Sequence, residues 1–477
     1  METLERILSS IISFGNTIFW DYILIYLLIG AGIYFTFRSR FVQFRLFKNM
    51  FGVIGEEAVE QSGKRGINAF QAFSISIASR VGTGNLAGVA LAVAIGGPGA
   101  VFWMWVVALI GMATAFIEST LAQVYKVPDE DGFHGGPAYY IERALGQKWM
   151  AVLFSILITI TFGLIFNAVQ ANTISMAVEQ AFNIDRTWTG IILVVLAGFI
   201  IFGGIKRIAI VSGTIVPIMA VIYIAVSFVV VLMNISEIPR IFTMIFQHAF
   251  GIEQFVGGGM GVALMQGIKR GLFSNEAGMG SAPNAAATAG VSHPAKQGLV
   301  QSLAVFFDTI VICSFTAFII LLYEDFASVT EDGIQLTQVA FSAQIGNWAT
   351  IFIALTIFLF AFSSLIGNYY YGETNIDFMK NAGPFRNIYR FAVLAMVFLG
   401  SRASIDIVWN MADLFMAMMA VVNLIAILLL GKIAMAVLND YVKQKKAGKD
   451  PQFNISNLPD LKNVAWWGAQ EEEHKKS

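Results

Sequence analysis

The residues of this chain best suited to holding a small charged solute lie inside its most apolar stretches. From Ala78 to Gly88 the sequence reads Ala-Ser-Arg-Val-Gly-Thr-Gly-Asn-Leu-Ala-Gly, within an apolar run covering about 68–96. Arg80 and three glycines, Gly82, Gly84 and Gly88, fall near the depth of a bilayer midplane, where a charge is expensive and glycine weakens a helix. A helix that unwinds there leaves backbone groups that protein or a polar cavity must satisfy. The amides where the helix resumes, at Thr83, Gly84 and Asn85, suit a carboxylate, because unpaired donors and the helix dipole act together. Carbonyls on the other side of the break suit an ammonium or sodium. Close packing of small residues is the other use of such glycines. Thr83, Asn85 and Arg80 beside them favour a break.

A second interruption follows the same pattern. A glycine-rich approach, Gly257-Gly258-Gly259, leads into an apolar stretch carrying Lys269, Arg270 and Gly271-Leu-Phe-Ser-Asn-Glu-Ala-Gly-Met-Gly-Ser-Ala-Pro283. Paired breaks at corresponding positions of two halves point to a transport site near the midplane. Ser363 and Ser364, in the apolar run 351–367, offer adjacent hydroxyls, hard oxygen ligands of the kind sodium prefers. Bonding back to their own helix carbonyls is the competing use. Asn167 and Gln170, three apart, share a helix face and line a cavity or bond to a neighbouring helix. Arg80, Glu118, Lys269, Arg270, Glu276 and Asp308 are intramembrane charges, each needing a partner or water. We expect them to clamp the broken helices or gate, with a proton relay through the carboxylates as the lesser reading. His134, His248, His293 and His474 fall outside the spans without metal spacing. No nucleophile elbow, Walker loop or HExxH is present.

These residues need a membrane scaffold, and composition supplies one. The chain has 477 residues, 57% hydrophobic and 13% charged, with mean hydropathy +0.70, whereas soluble domains are about one-quarter charged. The apolar segments run to twenty or more residues without period-two alternation, which excludes barrel strands of about ten. The fold class is an all-α polytopic membrane protein. A net charge of −1 creates no global field for nucleic acid. One cysteine, Cys313, excludes an intramolecular disulfide. The start lacks the features of a removed signal peptide, so the first span is expected to stay.

About 11 transmembrane helices are predicted: 20–37, the broken run, 100–125, 150–182, 188–202, 211–233, the second broken run, 298–323, 348–370, 388–400 and 414–438. Residues 41–59 read as an interfacial helix and 138–145 as a short one. This divides the chain into 1–65, an N-terminal span with its interfacial helix; 66–235 and 236–440, two halves of five spans; and 441–477, a solvated polar tail that Trp466-Trp467 lets touch a surface. An odd number of spans per half makes the halves inverted repeats. Lysine and arginine gather in loops 38–65, 126–148, 206–207, 292–296 and 380–390 and in the tail, while the opposite loops hold only Arg186, Arg240 and Arg402. The N-terminus is therefore outside and the C-terminus cytoplasmic.

Val81-Gly-Thr-Gly-Asn-Leu-Ala-Gly-Val-Ala, Gly96-Gly-Pro-Gly-Ala-Val-Phe-Trp-Met-Trp, Gly135-Gly-Pro-Ala-Tyr-Tyr-Ile-Glu and the Gly271–Pro283 segment, in this order across nearly the whole chain, resemble the alanine or glycine:cation symporter family. The resemblance implies a LeuT-like five-plus-five inverted repeat with one extra N-terminal helix, sodium as coupling ion, no other cofactor, a small amino acid as cargo and a prokaryotic plasma membrane. A monomer is compatible with it. The first break is also similar to that of neurotransmitter:sodium symporters. By that likeness the carbonyls of Ala78 and Val81 with the hydroxyls of Ser363 and Ser364 form the sodium site. Thr83, Gly84, Asn85, Gln170, Phe273, Ser274, Asn275 and Ser364 surround the amino acid. The chain departs from the pattern at Asn368, where tryptophan is expected, and at Ser363 and Ser364, where threonines are usual. Both changes reduce bulk, and Asn368 adds an amide at the side-chain end of the pocket. Glutamine thereby joins alanine and glycine as a candidate cargo.

Overall fold

A computed structural model describes the backbone of all residues except 1, 59, 62–63, 66, 130–131, 204, 253–258, 329, 380–382, 459–460 and 468–477, and the side chains of these and of 2–8, 60–61, 64–65, 205–216 and 384 lie outside the description. Gly204, Gly257, Gly258, Glu130, Asp131, Lys380 and His474, and the side chains of Lys64, Arg65, Lys206 and Arg207, on which parts of the sequence reading fell, are therefore outside the described residues.

The described chain is mostly helical. Helix α1 (Ser9–Arg38) is followed by α2 (Val42–Arg45) and α3 (Phe47–Ile54), then α4 (Ala69–Arg80), α5 (Gly84–Gly96) and α6 (Gly99–Val124). After a small hairpin, β3 (Val127–Asp129) with β4 (Gly132–His134), come α7 (Pro137–Tyr140), continuing helically to Leu145, and α8 (Lys148–Phe182). A smaller hairpin, β1 (Glu60–Gln61) and β2 (Lys64–Arg65), precedes α4. Next are α9 (Arg186–Ile201), α10 (Ile205–Met233), α11 (Ile238–Ala249), α12 (Met260–Asn275) and α13 (Ala282–Ala287). The chain closes with α14 (Pro294–Leu322), α15 (Gly333–Ile345), α16 (Trp348–Met379), α17 (Gly383–Arg402) and α18 (Ile405–Lys446).

Six of these helices are long and apolar enough to cross a membrane, or up to eight if each bent pair is one span, among the described residues. Apolar side chains such as Val195, Phe391, Leu399 and Leu429 stand exposed on outer faces, which hydrocarbon tolerates and water does not. The sequence reading named neither α11 and α15 nor the two hairpins, β1–β2 and β3–β4. The interfacial segment 41–59 is two short helices, because Leu46 leaves the helical region at φ −106°.

The first break is built from its own residues. Asn68 caps α4, accepting from the Gln71 amide while the Gln71 side chain accepts from Asn68. The helix stops at Arg80, Val81 turns extended, and α5 resumes at Gly84 bent by 52°. The Asn85 side chain accepts the freed amide of Gly82 at 3.0 Å, doing for the break what a capping residue does for a helix start.

The second break needs left-handed backbone. Glu276 sits at φ 56°, Gly278 at 85° and Gly280 at 88°, and only glycine takes the last two conformations without strain. Glu118 of α6 accepts the Gly278 amide at 3.1 Å, while Asn423 of α18 donates to the Gly278 carbonyl at 3.0 Å and to Glu118 at 2.8 Å. Tyr140 in turn donates to Asn423. The loop between α12 and α13 is thus held by side chains from α6, α7 and α18, satisfying backbone that no helix pairs.

Candidate functional site

The two breaks meet. A Cβ placed on Gly84 would stand 2.9 Å from Cα of Ser274, so α5 and α12 cross at a distance only glycine permits. A Cβ on Gly82 would stand 2.5 Å from the Ser364 hydroxyl and 3.3 Å from Oε1 of Gln170. Gly82 therefore brings α16 and α8 against the unwound segment.

Ser363 and Ser364 face the first break. Their hydroxyls lie 3.5 and 3.2 Å from the Ala78 carbonyl oxygen, and 2.8 and 3.0 Å from that of Phe360 in their own helix. Each hydroxyl has one proton to donate. With those protons on Phe360, three oxygens converge between α4 and α16, an arrangement that suits a small hard cation. The back-bond to the helix and the facing of Ala78 are thus compatible uses of the same serines. Val81 is buried beside Ala78 in sequence, with its amide on Ile77.

Gln170 of α8 closes the other side: its Oε1 accepts the Thr83 hydroxyl at 2.6 Å and the Thr83 amide at 3.4 Å. Asn85 donates to Asp308 of α14 at 2.7 Å, and Ser274 and Thr309 donate to its other carboxylate oxygen at 2.7 and 2.9 Å. Asp308 is buried and joins both breaks. The sulfur of Cys313 lies 3.3 Å from Asn85 and from Ser274. Asn275 accepts from the Ala277 amide, and its own amide nitrogen has no protein partner.

Phe273 is the middle of an aromatic cluster, its ring 4.6 Å from Phe166 and 4.7 Å from Trp409, tilted by 36° and 44°. Trp409 also lies 3.5 Å from where a Gly88 Cβ would be, and the Arg270 guanidinium lies over its ring at 4.6 Å. Arg270 pairs with Asp413 at 2.6 Å and Lys269 with the same carboxylate at 3.6 Å. Asp413, which lies one residue ahead of the predicted span 414–438, is the counter-charge of both.

Two expected site residues are engaged differently. Asn167 donates to Gly163 of its own helix at 3.0 Å, the packing use weighed for it, and its Oδ1 is buried without a partner. Asn368 follows Ser364 by one helical turn on the same face; it is 1% exposed and its amide nitrogen has no protein partner. Arg80 is buried and reaches the Gln301 carbonyl at 3.5 Å; its charge acts on Glu118, Glu276 and Asp308 without a direct ion pair among the described residues. Phe166 and Trp409 are members of the site that sequence reasoning missed, and Asp308, expected to clamp the broken helices, was not tied to its partners. Asp308 was visible as a charge in an apolar run, but nothing in its spacing tied it to Asn85 or Ser274.

Residues 5–455 match the model of the sodium:alanine symporter family. The amino-acid carrier protein AlsT of Bacillus subtilis is 57% identical over 472 residues, covering 98% of this chain and 100% of the relative. The probable sodium/glutamine symporter GlnT of the same organism is 52% identical, covering 97% of each. Among solved structures, the Eremococcus coleocola manganese transporter superposes with a TM-score of 0.53 at 12% identity, over 82% of this chain and 90% of that one, a likeness of fold alone.

Proposed function

Because the chain belongs to the sodium:alanine symporter family, we propose that it carries a small neutral amino acid of the alanine or glycine class with sodium across a prokaryotic plasma membrane by alternating access. The observation that carries this reading is the meeting of the two helix breaks, with Ser363 and Ser364 facing the Ala78 carbonyl on one side and Asp308 joining Asn85 to Ser274 on the other. Sodium takes the serine hydroxyls with the carbonyls of Ala78 and Val81. The amino-acid carboxylate takes the amides around Thr83, Gly84 and Asn85, at the positive end of α5. Gln170 orients Thr83, Ser274 and Asn275 flank the cargo, and Phe273 covers it with Phe166 and Trp409.

The scaffold for this chemistry is eleven spans, one N-terminal helix and two inverted halves of five, with the N-terminus outside and the C-terminus cytoplasmic. Rocking one half against the other exposes the breaks to each side in turn.

A second reading keeps the mechanism and changes the cargo to glutamine. Asn368, buried one turn beyond Ser364 with an unpartnered amide, favours it, as does the similarity to GlnT. Counterflow of radiolabelled alanine, glycine and glutamine in proteoliposomes, with and without a sodium gradient, tests both readings. Uptake of none of the three, or uptake indifferent to sodium, would overturn the proposal.

A further inference from the structure

The described chain beyond Lys446 is not a solvated extension. The Phe453 amide donates to the Ser292 carbonyl at 2.8 Å, the Ser292 hydroxyl to the Pro451 carbonyl at 2.9 Å, and Asn463 and Arg143 exchange hydrogen bonds at 3.0 and 3.2 Å. Trp466 and Trp467, 6% and 2% exposed, end this return: Trp466 packs edge-on to Phe133 of β4 at 4.8 Å, and the Trp467 indole donates to the Gln123 carbonyl at the end of α6 at 2.9 Å.

What lies under the two tryptophans matters for transport. The Gln123 side chain donates to the carbonyls of Ala286 and Ala289, and Lys126 donates to Ala289 at 2.9 Å. The Lys126 ammonium stands 4.1 Å from the Phe133 ring and 5.3 Å from Trp467, within cation–π range of both. The next residue, Gly290, donates to the Ile67 carbonyl just ahead of α4. The chain leaving the second break and the chain approaching the first are therefore tied together here, and the tail covers the knot. Opening on this side requires those two segments to part, and a contact made in only one of two states biases the equilibrium toward it.

We propose that the described tail, residues 450–458 and 461–467, is a strap that docks through Trp466 and Trp467 on the end of α6 and the β3–β4 hairpin, over the cytoplasmic tie between the two broken segments, holds that side closed and sets the transport rate. The inference rests on the transport reading and goes beyond it by assigning a regulatory part to the tail.

Oxidation of a Ser292→Cys/Phe453→Cys pair in the full chain should stop sodium-driven alanine uptake in proteoliposomes, and reduction should restore it. Replacing both tryptophans by alanine should raise the uptake rate about five-fold, the low end of allosteric coupling. It should also speed reaction of a Phe133→Cys reporter with a membrane-impermeant maleimide. An oxidised pair that transports at the wild-type rate would overturn the strap, whatever the tryptophan variant does. Wild-type vesicles taking up no amino acid would instead fail the transport reading. In that case the reporter decides the strap: Phe133→Cys labelling equal with and without the two tryptophans would overturn it, and faster labelling without them would support it.

Discussion

Asp308 accepts the side-chain amide of Asn85 at 2.7 Å, while Asn85 uses its oxygen to hold the Gly82 amide at 3.0 Å. A carboxylate of α14 thus fixes the residue that caps the first helix break, and through Ser274 it fixes the end of the helix leading into the second.

Asp308→Asn should therefore damage cargo binding. An asparagine can accept through one atom only, leaving Asn85 or Ser274 without its acceptor. A buried donor so orphaned costs about 1–3 kcal/mol, roughly five- to 150-fold in binding. Saturation uptake measurements on protein of equal surface expression should show KM for alanine rising within that range. An unchanged KM would remove Asp308 from the site.

Sodium dependence should run through α16. Alanine at both Ser363 and Ser364 removes the two hydroxyl oxygens facing Ala78, so the sodium concentration for half-maximal uptake should rise. If transport persists with its sodium response intact, the ion sits elsewhere.

Cargo size should be set at Asn368. An indole there fills the room that asparagine leaves and removes the unpartnered amide, a change worth about 1–3 kcal/mol, roughly five- to 150-fold, against a side-chain amide. Asn368→Trp should shift preference from glutamine toward alanine and glycine. Competition of unlabelled glutamine and alanine against labelled alanine measures the shift, and an unaltered ratio would sink the idea.

The fold should lose stability in acid through His293. Burial, the largest influence, pushes its ring below the ordinary value of 6.5, against Asp440 at 3.2 Å, which raises it. A depressed folded value means that the unfolded chain takes up the proton first. The stabilising contribution is thus complete above about 6.5 and is lost as pH falls below it. Thermal unfolding of the purified protein should come at lower temperature at acid pH than at neutral pH. His293→Asn, which keeps an acceptor for the Ala295 amide that His293 now caps, should flatten that dependence. Parallel pH profiles for the two proteins would exclude His293 as the cause.

Much was determined by the sequence alone, because its signals are local. Apolar runs of twenty or more residues demand helices in hydrocarbon, and glycines interleaved with Thr83, Asn85 and Arg80 demand a break, since both follow from backbone hydrogen bonding within a segment. Ser363 and Ser364 were legible as paired hydroxyls for the same reason. What faces what was not legible. Asp308 lies 223 residues from Asn85, and Asp413 lies 143 from Arg270, so only packing decides which buried charge meets which partner. The tail shows the same limit: its composition is that of a solvated end, yet Trp466 and Trp467 bury themselves because α6 and the hairpin at Phe133 present an apolar seat with a carbonyl, on Gln123, for the Trp467 indole. Periodicity reports the surface an element needs to bury, and only the tertiary structure supplies the surface that buries it.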